Sequence, residues 1–199
     1  MDGFVELVGD LLCRNGLPSA CIYRTRGKIE LPGWFRPQKQ WDVVVVLDGK
    51  LIAAIEFKSH IGPSFGNNFN NRTEEAIGNS TDILAAYREG AFTPSSKPWL
   101  GYLMLLEDHA ASTKPVKLKE PHFKVFEDFQ NTSYADRYVL LCTRLMREGL
   151  YDSSCLLMSD RISGPDGAFR EPSTELSFEN FATSLLARAT AISKIRHKP

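Results

Sequence analysis

Residues 41 to 60 read Trp-Asp-Val-Val-Val-Val-Leu-Asp-Gly-Lys-Leu-Ile-Ala-Ala-Ile-Glu-Phe-Lys-Ser-His. Two apolar runs meet at Asp48-Gly49, a dipeptide suited to a tight hairpin turn. Both runs, 42 to 47 and 51 to 57, are apolar on both faces, where a half-solvated hairpin would alternate. The pattern predicts a central hairpin covered on each side. Charged groups stand at its outer ends: Asp42 opens the first strand, and Glu56 and Lys58 close the second. Side chains alternate along a strand, so Glu56 and Lys58 share a face.

Whether Asp42 joins them depends on register. A two-residue turn at Asp48-Gly49 pairs 42 with 55 and sends Asp42 and Glu56 to opposite faces. A three-residue loop of Leu47-Asp48-Gly49 pairs 42 with 54 and brings them to one face. A site using all three groups requires that register or an equivalent bulge.

The chemistry such a site would support is specific. A hard divalent cation takes oxygen ligands, and Mg²⁺ uses one or two carboxylates with waters and phosphate oxygens. Asp42 and Glu56 offer the carboxylates, and the carbonyl of Phe57 offers a third oxygen. Glu6 is a candidate further acid. Lys58 would orient the attacking water or neutralise charge in the transition state. The competing reading of an acidic-x-Lys triplet is a strand running out to a solvated end. The buried apolar context favours an ion or a partner for these charges.

The remaining chain reads as helices and strands in alternation. Phe4, Leu7, Val8, Leu11 and Leu12 form a helical stripe over 3 to 14, ended by Gly16 and Pro18. Residues 19 to 40 read as irregular and 59 to 70 as a loop. A helix follows, with Asn71 and Glu74 in capping-box spacing, and runs to Gly90. Residues 99 to 106 read as a buried strand, 107 to 132 as a long polar connection, 134 to 148 as a helix and 154 to 158 as a strand. A last helix lies near 177 to 195. The order indicates one α/β domain over 1 to 199, with a mixed central sheet flanked by helices.

Composition excludes several classes. Lys plus Arg and Asp plus Glu number 24 each, so the net charge is zero and no global steering toward polyanions is predicted. Basic residues nonetheless cluster at Arg24, Arg26, Lys28, Arg36 and Lys39, and again at Lys114, Lys117, Lys119 and Lys124. Cys13, Cys21, Cys142 and Cys155 include no Cys-x-x-Cys pair, so reduced thiols in a cytoplasmic protein are expected. The N-terminus lacks signal-peptide character, and no apolar run approaches membrane-span length. His60, His109, His122 and His197 lack a partner pattern. Asn67, Asn68, Asn70, Asn71 and Arg72 lie just after Lys58. Asn and Arg are the types that read adenine and guanine edges in hydrogen-bond pairs, although Asn also serves turns and caps.

Residues 53 to 78, with the run Gly-Asn-Asn-Phe-Asn-Asn-Arg at 66 to 72, resemble the XhoI/PaeR-type type II restriction endonucleases. The resemblance extends back to Leu31-Pro32-Gly33-Trp34-Phe35-Arg36-Pro37. It extends forward through Ala86 to Phe92, Trp99 to Tyr102, Glu120-Pro121-His122-Phe123 and Ser133 to Ala135. It implies a PD-(D/E)xK fold and Mg²⁺-dependent cleavage of double-stranded DNA at the palindrome CTCGAG, leaving 5′-phosphate and 3′-hydroxyl ends. The acidic position falls on Asp42 and the (D/E)xK motif on Glu56, Phe57 and Lys58, with Trp41 where the motif name has proline. A palindromic site implies a homodimer, and a restriction enzyme implies a cognate DNA methyltransferase. Asn67 to Arg72, with Arg36 and Lys39, are the expected DNA contacts. Family members carry an extension before the segment matching Met1 to Phe4. Two other readings are a catalytically impaired DNA-binding remnant and a PD-(D/E)xK nuclease of repair type.

Overall fold

The computed structural model describes residues 1–196; His197 lies outside the described residues. Helix α1 (Asp2–Arg14) buries Val8 and Leu12 and stops at Asn15, before Gly16 at φ +95°. Leu7, expected on the buried stripe, is instead exposed. The stretch expected to be irregular holds three short strands, β1 (Ile22–Tyr23), β2 (Glu30–Pro32) and β3 (Gln38–Gln40). Their pairing is imposed by tertiary contact rather than propensity. β1 pairs antiparallel with β4 (Val43–Leu47), β2 pairs with β3, and the Trp41 amide donates to the Ile29 carbonyl at 3.0 Å.

β4 turns directly into β5 (Lys50–His60). Asp48 and Gly49 both take positive φ, 51° and 72°, which suits the right-handed twist of a two-residue hairpin. The turn pairs Leu47 with Lys50 and Val46 with Leu51. That register alone would part Asp42 from Glu56. A bulge then shifts it, so that Val45, Val44 and Val43 pair with Ala53, Ala54 and Ile55. Ile52 is the extra residue. It and the adjacent Ala53 join one core cluster, while Leu51 and Ala54 on either side join the other. Asp42, one position beyond Val43, therefore stands across from Glu56. The expected three-residue loop is replaced by a tight turn plus a bulge with the same parity.

Helix α2 (Phe65–Arg88) carries the chain from β5 to the parallel strand β6 (Trp99–Glu107). The short α3 (Ala110–Thr113) and then α4 (Tyr134–Arg147) lead to β7 (Ser153–Ser159), parallel to β6. The last helix is α5 (Phe178–Arg196). Sheet order is β1-β4-β5-β6-β7, which places β5 at the centre. α2 and α4 cover one face, packing Ala76, Ile83, Tyr138 and Leu145 on Ala54, Tyr102 and Met104. α1 and α5 cover the other, with Val8, Leu12, Phe181 and Leu185 on Val43, Ile55 and Leu103. The mixed α/β sheet flanked by helices is as expected from the sequence. No described helix is long and apolar enough to cross a membrane.

Residues 59 to 70 are not a loop. Lys58, Ser59 and His60 continue to pair with Met104, Leu105 and Leu106, and α2 begins at Phe65. Buried Phe65 and half-buried Phe69 pack against Tyr134 and Tyr138, and that packing overrides the turn preference of the asparagines. The N-cap is Ser64, and Asn71 lies inside the helix rather than capping it.

The segment between β2 and β3 is fastened to α2 by one carboxylate. Asp82 accepts from the Trp34 and Phe35 amides at 2.7 and 2.8 Å and from Arg36 Nε at 2.7 Å. Arg36 Nη2 also donates to Asn79 Oδ1 at 2.7 Å. A Cβ at Gly33 would collide with the Asp82 carboxylate, which accounts for glycine there. Burial raises the Asp82 pKa, but the donated bonds outweigh it and hold the group below the usual carboxylate range. Its stabilisation is thus present at neutral pH and lost as pH falls through that depressed value. Asp82→Ala strands two amides and a guanidinium, and a loss of about 2–4 kcal/mol is expected by urea unfolding. A loss under about 1 kcal/mol would mean that other contacts hold the segment.

Candidate active site

Glu56 sits in the central strand with only 2% of its side chain exposed. A charge so buried needs partners, and it has two. Lys39, from β3, brings Nζ to Oε2 at 2.5 Å, and Lys58, two residues along β5, brings its ammonium to Oε1. Lys39 is itself enclosed. It donates to the Gln40 carbonyl at 2.7 Å and lies over the buried Trp41 ring, 4.5 Å from the centroid. Burial lowers the Lys39 pKa, and the attraction of Glu56 only partly opposes this.

Asp42 enters from the start of β4. Its Oδ2 accepts the Phe57 amide at 2.7 Å, which ties it to the strand carrying Glu56 and Lys58. Burial raises the Asp42 pKa above the ordinary value. The Phe57 hydrogen bond works against that rise, and the neighbouring Glu56 charge adds to it. The three groups expected to act together are therefore brought together: two carboxylates on one face, with Lys58 beside them.

A divalent cation suits this donor set. The two carboxylates are hard oxygen donors, and a cation bound by Glu56 would take a place that one of its two ammoniums now holds. No group of three or more His, Cys, Asp or Glu that could hold a metal forms among the described residues. A cation here would rely on two carboxylates plus backbone, water and substrate oxygens, which is the habit of Mg²⁺. Glu6 does not approach. It pairs with Arg24 at 2.7 Å on α1, which packs on the opposite face of the sheet.

The site continues onto α2. Lys58 Nζ lies 4.0 Å from Glu75 Oε2, and Arg72 Nη1 donates to the same oxygen at 2.6 Å. Arg72 Nε is buried without a partner. A chain of alternating charge thus runs from Lys39 through Glu56, Lys58 and Glu75 to Arg72. Glu75 was not singled out from sequence; its signal was the i,i+3 spacing from Arg72. Asn67, Asn70 and Asn71 form the exposed ridge of the helix, and Asn68 is half-buried on the Arg72 flank. Of the other residues expected at DNA, Lys39 pairs with Glu56, and Arg36 pairs with Asp82 and Asn79 while its side chain stays 42% exposed. His60 is fully buried, its Nδ1 2.7 Å from the Tyr138 hydroxyl. Burial, and then the Arg72 charge, keep its pKa low.

Lys39→Ala leaves the buried Glu56 with one ammonium in place of two. A stability loss of about 3 kcal/mol is expected from urea unfolding. An unchanged midpoint would mean that Lys58 alone neutralises the carboxylate.

The chain matches the family model described as Restriction endonuclease XhoI over residues 1–171. It is 52% identical over 191 residues to the type II restriction enzyme BstVI of Geobacillus stearothermophilus, covering 94% of this chain and 85% of that protein. It is 46% identical over 177 residues to the type II restriction enzyme XhoI of Xanthomonas vasicola, covering 86% and 71%. To the type II restriction enzyme AbrI of Azospirillum brasilense it is 55% identical over 124 residues, covering 62% and 56%. No solved structure matches.

Proposed function

The chain belongs to the XhoI restriction endonuclease family and is a type II restriction endonuclease, and from that premise we propose that it hydrolyses both strands of DNA at CTCGAG. The ends are 5′-phosphate and 3′-hydroxyl, the cofactor is Mg²⁺, and the enzyme works in the cytoplasm as a homodimer beside a methyltransferase that protects the same sequence. The observation that carries the reading is the buried Glu56 between two lysines, with Asp42 on the same face.

Asp42, Glu56 and the carbonyl of Phe57 would hold the Mg²⁺, which when bound polarises the scissile phosphate and acidifies a water. The chain's own residues do the rest. Lys58 is fixed at Glu56 and directs its ammonium at the reacting phosphate, where negative charge develops. The Phe57 amide holds the Asp42 carboxylate facing the site. Asn67, Asn70 and Asn71 present base-reading amides along α2, with Asn68 and Arg72 on the flank toward Lys58. A palindrome read by two such helices calls for two-fold symmetry.

Digestion of a linear DNA carrying one CTCGAG site tests this. Two discrete fragments are expected with Mg²⁺ and none with EDTA. Asp42→Ala and Lys58→Ala should leave the DNA intact while keeping the wild-type circular dichroism spectrum. Cutting by Asp42→Ala at the wild-type rate removes the carboxylate from the mechanism. Uncut DNA with wild type favours a binding-only protein, and discrete cutting at another sequence replaces the site. Arg72→Ala should weaken cognate binding by about 1–3 kcal/mol if its guanidinium leaves Glu75 for a guanine. Equal weakening on cognate and random duplexes would reduce Arg72 to a phosphate contact.

A further inference from the structure

The two basic clusters have different fates. In the first, Arg24 is paired with Glu6, Arg36 with Asp82 and Lys39 with Glu56, and two of the five, Arg26 and Lys28, are exposed without an ion pair among the described residues. In the second, Lys114, Lys117, Lys119 and Lys124 are all exposed, and none makes an ion pair among the described residues. Their stretch, 114 to 126, has one acid. That acid, Glu120, is exposed but held locally: its Oε1 accepts the Val125 amide at 3.0 Å and Gln130 Nε2 at 2.9 Å. The stretch also exposes two aromatics almost completely, Phe123 at 88% and Phe126 at 79%.

The segment is irregular but anchored. The Val116 amide donates to the Thr132 carbonyl at 2.9 Å, and Arg137 of α4 donates to the Val116 carbonyl and to Thr132 Oγ1. Phe129 and Arg137 line a cleft whose far wall is Phe69, Thr73 and Ile77 of α2. Helix α2 therefore has two flanks. Asn68, Arg72 and Glu75 lie on the Lys58 side, and Phe69, Thr73 and Ile77 face Phe129 and Arg137, the residue that anchors Val116. The ridge of Asn67, Asn70 and Asn71 rises between them. Polymer laid along that ridge has Lys58 on one side and, on the other, the Arg137 side of the cleft to which Val116 of the lysine-bearing segment is anchored.

We propose that residues 114 to 126 are a second DNA contact, a backbone clamp across α2 from the catalytic site. The inference rests on the DNA-cleaving reading above. The four ammoniums supply phosphate neutralisation beyond what the first cluster offers, where three of the five cations are spent on internal ion pairs. Phe123 and Phe126 lie against the apolar faces of the sugars or at an opened base step.

The test is fluorescence anisotropy with a CTCGAG duplex in EDTA, where no cutting occurs, over a range of NaCl. Wild type is compared with Lys117→Gln/Lys119→Gln/Lys124→Gln, with the matching triple Arg variant, and with Phe123→Ala/Phe126→Ala. The Gln variant should flatten the slope of log affinity against log salt by roughly 2–3 units. Its affinity at 0.1 M salt should fall at least tenfold, as roughly three lost phosphate contacts predict, and the Arg variant should restore both. The Phe variant should weaken binding by the same factor at every salt concentration, leaving the slope alone. A steep wild-type slope that the Gln variant leaves unchanged overturns the clamp while sparing the endonuclease reading. A lowered thermal midpoint in the Gln variant overturns it too, because the lysines would then be structural. No wild-type binding to any duplex removes both readings together.

Discussion

A carboxylate is buried in the middle of the central strand, and its neutralisation organises the rest. Glu56 would be untenable alone at its depth. Lys58 comes from the same strand, so it is supplied locally. Lys39 comes from outside the sheet and must be carried in. The β2–β3 hairpin does this, and the hairpin is in turn bolted to α2 through Asp82. Removing any link in that sequence of contacts would loosen the next. α2 is thus held on the sheet by apolar packing along one face and by ion pairs at Glu75 and at the buried Asp82.

This arrangement joins recognition to chemistry over a short distance. The helix that carries the asparagines proposed to read bases also carries Glu75, which contacts both Arg72 and Lys58. A change in what Arg72 touches alters the charge around Lys58 without any movement of backbone. Substrate that engages Arg72 would thereby change the electrostatics around Lys58, the lysine proposed to act on the phosphate. Glu6 lies outside this chain of charges, paired with Arg24 on α1 across the sheet.

Much of this was legible in the sequence, and the limits have physical causes. The apolar runs around Asp48-Gly49 marked the central hairpin, because two-sided burial leaves no alternation. Glu56-x-Lys58 marked the site, because strand parity is strict. The need for a register correction was also legible, but its form was not. A bulge at Ile52 leaves no mark in a run of apolar residues that fits either face. The start of α2 was misplaced because Asn and Gly favour turns locally, whereas Phe65 and Phe69 gain more by packing on Tyr134 and Tyr138. Lys39 looked like a surface cation, since only the three-dimensional path of the hairpin brings it to Glu56.

The bulge has a consequence for how the hairpin tolerates change in length. The turn fixes the pairing on its own side, and the strand beyond Ala53 is fixed by β6, whose partner positions begin at Ala53 with Trp99. Ile52 lies between these two anchors and belongs to neither ladder. It acts as slack in the strand, a single residue that absorbs the mismatch between a two-residue turn and a site needing Asp42 across from Glu56. A chain shortened by that one residue would regain regular pairing with Asp42, Glu56 and Lys58 on their present face. A loss at the outer end, past Glu56, has no such reserve, and would turn Lys58 away from the carboxylate it serves.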